Sequence, residues 1–295
     1  VAITYAQSSW DSAGSYSATN LYYKDVSIAA SVGDLLVAVG LSAGDENTEG
    51  TVATQSGSTG SWTVTQGTGT SDDCGGVLGW ATVTTSGTIT VRVAVSSSPT
   101  GYMGAGMWCV PAAEWSGNPT VTTFGGGDAD GQVSQTLSAP STVLYAGGEW
   151  SAASSLGTTG TPSGGTNHTS VWYSSHYGVF THSWTGQGSG TRNYGPSGLS
   201  GLDFTGFAVV IPTVLTFTLR GSGAVSLYTD GTAGTLTNAN LGSTVTLTAG
   251  RQALLLLTNM HGPTGGITMT GAASGLTLTS LYSNVDAGSH NHGCR

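Results

Sequence analysis

Two-residue alternation of apolar and polar side chains is the dominant pattern of this chain and the one that most limits what it can fold into. Thr88-Ile89-Thr90-Val91-Arg92-Val93-Ala94-Val95, Trp62-Thr63-Val64-Thr65 and Val77-Leu78-Gly79-Trp80-Ala81-Thr82-Val83-Thr84 all carry it. Successive side chains of an extended strand point to opposite faces, so such segments bury one face and wet the other. Clusters of Gly, Ser, Asn and Asp separate them at intervals of about 8–15 residues, the spacing of sandwich or barrel strands. No segment sustains a 3.6-residue period, and Pro111-Ala112-Ala113-Glu114-Trp115 predicts one helical turn at most. Two runs are apolar almost throughout, Asp34-Leu35-Leu36-Val37-Ala38-Val39-Gly40-Leu41 and Gly206-Phe207-Ala208-Val209-Val210-Ile211-Pro212. They predict buried central strands, and Pro212 ends ladder pairing in the second.

Composition excludes several function classes. Charged residues are 7% of the 295-residue chain, against about 25% in an ordinary soluble domain. The one lysine is Lys24, and the arginines, Arg92, Arg192, Arg220, Arg251 and Arg295, are scattered. Six isolated cations do not build a phosphate-tracking stripe, so no direct nucleic-acid partner is predicted. A net charge of −9 disfavours an anionic membrane surface, and no apolar run reaches the roughly 18 residues of a spanning helix, so no membrane insertion is predicted. Eight Trp, eleven Tyr and 38% hydrophobic residues argue against disorder. The opening Val1-Ala2-Ile3-Thr4-Tyr5 lacks the charged and apolar regions of a signal peptide, and removal of an initiator Met would account for such a start.

A composition shift divides the chain. All eight Trp fall between Trp10 and Trp184, whereas from Thr213 onward the aromatics are Phe217, Tyr228 and Tyr282. The tail has its own strand candidates: 215–219, 225–228, 244–248, 253–258 and 276–279, with Asp230-Gly231 as a hairpin turn. The expected architecture is therefore all-β. A large antiparallel β-sandwich, jelly-roll-like, spans 1–212, and a small β-sandwich or barrel-like domain spans 213–295. Residues 42–60 and 151–170 read as exposed low-complexity loops. Cys74, Cys109 and Cys294 show no metal-binding spacing. Cys109 reads as a small core residue, with a Cys74–Cys109 disulfide as the alternative.

The segments "VGDLLVAVGL", "GSWTVTQGTG", "GGVLGWATVTTSGTITVRVAV", "GMWCVPAAEWSG" and "GFAVVIP", in this order, resemble a β-sandwich module of tailed-bacteriophage structural proteins. Minor tail proteins are its best-known carriers, and head-decorating proteins have related modules. The resemblance covers residues 20–212 and rests on packing motifs: Gly33-Asp34 opening a strand, Trp80 filling a core, Trp115-Ser116-Gly117 ending a strand. It implies a non-enzymatic virion building block on the exterior of tail or head. Its partners would be other virion proteins, further copies of itself in an oligomer, and a host-surface glycan.

Chemistry-bearing residues are sparse. Glu114, Glu149 and Asp203 adjoin aromatic or apolar residues, and a pair of them would have to lie about 5–10 Å apart to cleave a glycan. No spacing selects such a pair, so no catalytic residue is assigned and no cofactor is expected. Asp128-Ala129-Asp130-Gly131 has a D-x-D-G form but lacks the acidic twelfth residue of an EF-hand loop. His290-Asn291-His292 places two imidazoles on one face of a strand. Asp128, Asp130, His290 and His292 are thus weak metal candidates beside the simpler reading of solvated turns and a terminus. Asn167-His168-Thr169 matches a glycosylation sequon. His168, His176 and His182 share a stretch with several aromatics. Trp172, Tyr173, His176, Tyr177, Trp184 and Tyr194 form the candidate ligand-binding set, because aromatic faces stack on the CH surfaces of sugars.

The leading expectation is a tail-associated structural component of a phage virion. The alternatives are a capsid-decorating protein and a carbohydrate-binding module or lectin. A glycan-cleaving enzyme is the fourth reading.

Overall fold

The computed structural model describes residues 2–10, 15–16, 22–42, 50–67, 75–95, 103–125, 131–150, 157–173, 177–197 and 204–213, and the short strands 258–259, 284–285 and 293–294. The chain divides into two units, Val1–Val214 and Leu215–Arg295, and each is described by itself.

Among the described residues, the first unit is all β apart from one 3₁₀ turn at Ala112–Glu114. Its strands are β1 (Thr4–Gln7), β2 (Ser15–Tyr16), β3 (Tyr22–Ala30), β4 (Leu35–Ser42), β5 (Gly50–Thr59), β6 (Thr63–Gln66), β7 (Gly75–Val95), β8 (Met103–Val110), β9 (Thr120–Phe124), β10 (Val133–Leu137), β11 (Ser141–Trp150), β12 (Gly160–Thr161), β13 (Thr166–Tyr173), β14 (Tyr177–Gln187), β15 (Gly190–Pro196) and β16 (Phe204–Pro212). All pairings between them are antiparallel.

The strands form four packed layers. One inner sheet runs β1-β8-β4-β7-β6, using the first part of β7. The remainder of β7 continues into an outer sheet, between β3 and β5. The second inner sheet runs β9-β16-β11-β14-β13, and its outer sheet β10-β15-β12. Three cores lie between the layers. Leu36, Ala38, Val77, Val91, Met107 and neighbours fill the space between the first outer and first inner sheets. Leu35, Val37, Val39, Trp108, Leu144, Phe207 and Val209 fill the seam between the two inner sheets. Val143, Tyr145, Phe180, Trp184, Tyr194 and Phe204 fill the space between the second inner and outer sheets.

This layering explains the two continuous apolar runs. Each inner sheet is covered on both faces, so side chains pointing either way along β4 must be apolar, and every β4 residue is buried. The strand β16 follows the same logic: Phe207, Val209 and Ile211 enter the seam, and Phe204 and Ala208 enter the other core.

Several expectations are corrected. The segments 77–84 and 88–95, expected as separate strands, are one 21-residue strand. It crosses from sheet to sheet through an exposed stretch at 84–88, where Gly87 takes a φ of 149°. Residues 50–60 of the expected loop 42–60 are mainly β5. Gly50-Thr51-Val52-Ala53 alternates buried and exposed there, a pattern hidden by small residues. In the expected loop 151–170, β12 and the start of β13 are strands. Because β13 is an edge strand paired on one side only, polar residues such as Asn167 and Ser170 fit it without an apolar alternation.

In the second unit, Thr258–Asn259, Gly293–Cys294 and Asn284–Val285 form a three-stranded antiparallel ladder with Gly293–Cys294 in the middle. The expected tail strands at 215–219, 225–228, 244–248 and 276–279 and the Asp230-Gly231 turn lie outside the described residues. No helix among the described residues is long and apolar enough to cross a membrane.

Candidate functional site

Gly33, Asp34 and Trp115 form a structural joint. Gly33 has a φ of +86°, a left-handed conformation that glycine adopts without strain. It thereby turns the chain from β3 into β4. Asp34 is buried, and its carboxylate accepts the Ser31 N–H at 2.8 Å and the Ala112 N–H at 2.9 Å. The Trp115 indole N–H donates to the Gly33 carbonyl at 3.1 Å. One carboxylate thus ties the start of β4 to the segment that follows β8. A sequence reading sees "GD" and "W" as packing residues and misses this joint, because its two halves are 78 positions apart.

The Cys109 thiol lies against the same carboxylate, 3.5 Å away. Burial first, and the neighbouring Asp34 second, push it up to about 12, so it stays protonated and unreactive at neutral pH. Cys109 is a free, buried cysteine. The alternative of a Cys74–Cys109 disulfide is therefore not the state found, and Cys74 itself lies outside the described residues.

The aromatic and histidine stretch is dispersed by the fold. Trp184 and Tyr194 are each 0% exposed. The Trp184 indole N–H donates to the Pro162 carbonyl at 2.8 Å, and its ring meets Tyr194 edge-on at 5.1 Å between centroids. Neither offers a face to a ligand, which corrects their expected place in a stacking platform. The physical reason is strand parity. Phe180, His182 and Trp184 alternate along β14 toward the short outer sheet, where large rings are needed to fill the space. Trp172, Tyr173 and Tyr177 lie on β13 and β14, with only their backbone described, and His176 lies outside the described residues.

His168 and His182 point to opposite sides of their sheet. His182 is buried between Phe180 and Trp184, with centroids 5.4 and 4.2 Å away, and Nε2 is 3.3 Å from the Gly164 carbonyl. Burial lowers its pKa, and the Gly164 contact partly offsets the shift. His168 stacks on Tyr5 at 4.8 Å and meets Trp108 edge-on at 6.2 Å. Its Nε2 is 2.8 Å from Ser183 Oγ. Burial, then the proximity of His182, lowers the His168 pKa to about 4.

Around it lies a polar clamp that the sequence does not announce. The Tyr5 hydroxyl, pushed up to about 12 by burial, sits 3.3 Å from the Thr169 and Thr181 hydroxyls. Thr169 donates to Gln7 Oε1, and the same oxygen accepts the Trp10 indole N–H at 3.0 Å. Through these bonds β1 is held to β13 and β14 across the seam.

A cleft of about 210 Å³ opens beside this clamp, lined by Ile3, Glu114, Thr142, Thr166, Ser183 and Thr185. It brings a carboxylate and a serine–histidine pair into one neighbourhood. An imidazole that resists protonation until about pH 4 is nevertheless a poor acceptor for a serine proton at pH 7. Glu114 shares this cleft with Thr142 at the start of β11. The buried Glu149 lies near the far end of that strand, seven residues on, or roughly 20 Å at strand rise. Glu114 and Glu149 therefore do not form the pair that glycan cleavage requires.

Asp203, Asp128, Asp130, His290 and His292 lie outside the described residues. Among those described, no group of three or more His, Cys, Asp or Glu is placed to hold a metal ion. No family model matches the chain, and neither a curated protein nor a solved structure matches it.

Proposed function

We propose that this chain is a structural component of a tailed-phage virion, tail-associated, whose work is mechanical and assembly-forming. The observation that carries the reading is the job done by the motif residues. Gly33, Asp34 and Trp115 make the joint between β4 and the segment after β8, and Trp80 packs at the seam. The residues that carry the resemblance thus brace neighbouring strands of the first inner sheet and pack against its seam. A four-layer β stack with both inner sheets covered is a stiff body, suited to repeated placement in a symmetric assembly. Its sparse charge fits the same use, since few ions must be desolvated when neighbours pack.

Imaging of intact particles at subunit resolution tests this. A few copies in ordered array on the tail are the expected result. Icosahedral order on the shell would replace the tail role by capsid decoration, and absence from every particle would overturn the virion reading.

A further inference from the structure

We propose that residues 2–213 are two copies of one eight-strand module, and that the β4-β7-β8 face of this module is a self-association surface whose partner is a second copy of the module. This stands on strand order and register, independently of the virion role.

The two halves have one topology. The inner sheet of the first half runs β1-β8-β4-β7-β6, and that of the second β9-β16-β11-β14-β13. The outer sheets run β3-β7-β5 and β10-β15-β12. Taken along the chain, β1, β3, β4, β5, β6, the two parts of β7, and β8 correspond in order to β9 through β16. Among the described strands, only the two-residue β2 is additional. A break at Gly188-Ser189 divides β14 from β15 where the first half keeps β7 continuous.

Register makes the correspondence residue by residue. Val110 opposes Leu35, and Ile211 opposes Thr142, and each of Val110 and Ile211 is followed by a proline. Cys109 opposes Thr4, and Val210 opposes Thr120. Trp80 opposes Thr63, and Ser183 opposes Thr166. On this alignment Val37 matches Leu144, Val39 matches Ala146, Trp108 matches Val209 and Val110 matches Ile211. All eight belong to the core between the inner sheets. Their neighbours Leu36 and Val143, Ala38 and Tyr145, and Met107 and Ala208 belong instead to the two separate module cores.

The halves therefore meet through the same face of each. A surface that packs against its own equivalent is the signature of an isologous contact, as in a two-fold dimer. Matched positions trade bulk: Trp108 stands for Val209, and Gly106, covered by Tyr5, stands for Phe207, which packs on Gly76. Such exchanges keep total volume while erasing sequence identity.

The test is made on the full chain. A specific protease sequence is inserted between Gly117 and Asn118, both exposed in the segment joining the halves, and the purified protein is cut under native conditions. The expected result is one size-exclusion peak of unchanged mass containing both fragments. Separation into two peaks, or loss of the β-sheet circular dichroism on cutting, would overturn the proposal. In the cut protein, Val37→Asp and Leu144→Asp occupy equivalent positions. Each is expected to weaken association at least tenfold and release two fragments that keep their β-sheet signal. Retention of the single peak in either variant, or unfolding of a released fragment, also overturns it.

Discussion

The half containing β1–β8 and the half containing β9–β16 answer the same topology with different interiors. Among the described residues, the first is filled by Val, Ile, Leu, Ala, Met and Cys109, with no buried aromatic ring in its module core. The second is filled by Tyr145, Phe180, Trp184, Tyr194 and Phe204. Matched positions show the trade: Ala38 against Tyr145, Val77 against Phe180, Ala81 against Trp184, Met103 against Phe204. Strand length supplies the reason. The outer sheet of the first half has strands of 9 and 10 residues beside the long β7, whereas that of the second has strands of 5, 7 and 2. A short outer sheet brings few side chains, so the inner-sheet side chains facing it, Tyr145, Phe180, Trp184 and Phe204, must be large to reach close packing. It also leaves polar groups inside: His182 and Gln135 are buried, with His182 Nδ1 and Gln135 Nε2 lacking a hydrogen-bond partner. Such orphaned groups are costly.

The largest expected effect follows from that contrast. Trp184→Ala empties the centre of the second interior and should cost about 3–5 kcal/mol. Hydrogen exchange should then rise in β10, β14 and β15 while β3 and β5 keep their protection. Equal loss in both outer sheets would show that the two interiors are not separable. Asp34→Ala comes next. It strips the acceptor from two backbone N–H groups at the joint, at a cost of about 2–3 kcal/mol. Asp34→Asn keeps an acceptor and should recover part of it, as read from chemical denaturation.

The first interior was legible in the sequence and the second much less so. Alternation along 88–95 shows directly that Ile89, Val91 and Val93 face the core, because aliphatic side chains and threonine separate cleanly by polarity, whereas 77–81 is apolar on both faces, with Val77 in this core and Leu78 and Trp80 at the seam. Along β14, buried Thr181, His182 and Ser183 break the binary pattern, and Trp184 reads equally as core or as a ligand platform. The duplication was illegible for a related reason. Pairs such as Gly106 and Phe207, or Trp80 and Ser183, share an environment and nothing else. The Tyr5, Gln7 and Thr169 clamp joins residues more than 160 positions apart, which no local pattern reveals.

Acid separates the halves more gently. The folded pKa values of His168 and His182 lie below the ordinary imidazole value of 6.5, with His168 at about 4. The unfolded chain therefore binds more protons than the folded one between those limits, and stability falls as pH drops from about 6.5 toward 4. Above 6.5 this contribution is constant. Allowing for the partial exposure of the His168 ring, its share is about 1 kcal/mol. His168→Gln should flatten the pH dependence of the melting temperature, and an unchanged slope would remove His168 as its source.

The smallest effect lies on the two outer faces, where the halves converge again. Ser27 and Thr90 pair across β3 and β7 at 2.9 Å between hydroxyls, and Thr136 and Thr191 pair across β10 and β15 at 2.8 Å. Each pair joins directly opposed residues on corresponding strands and is exposed, so water replaces a lost partner. Ser27→Ala and Thr136→Ala should each cost less than about 0.5 kcal/mol. A much larger loss for Thr136→Ala would mean that the short outer sheet depends on its surface pairs, since its three strands bury fewer side chains than those of its counterpart. Equal, small losses would locate the difference between the halves wholly in their interiors.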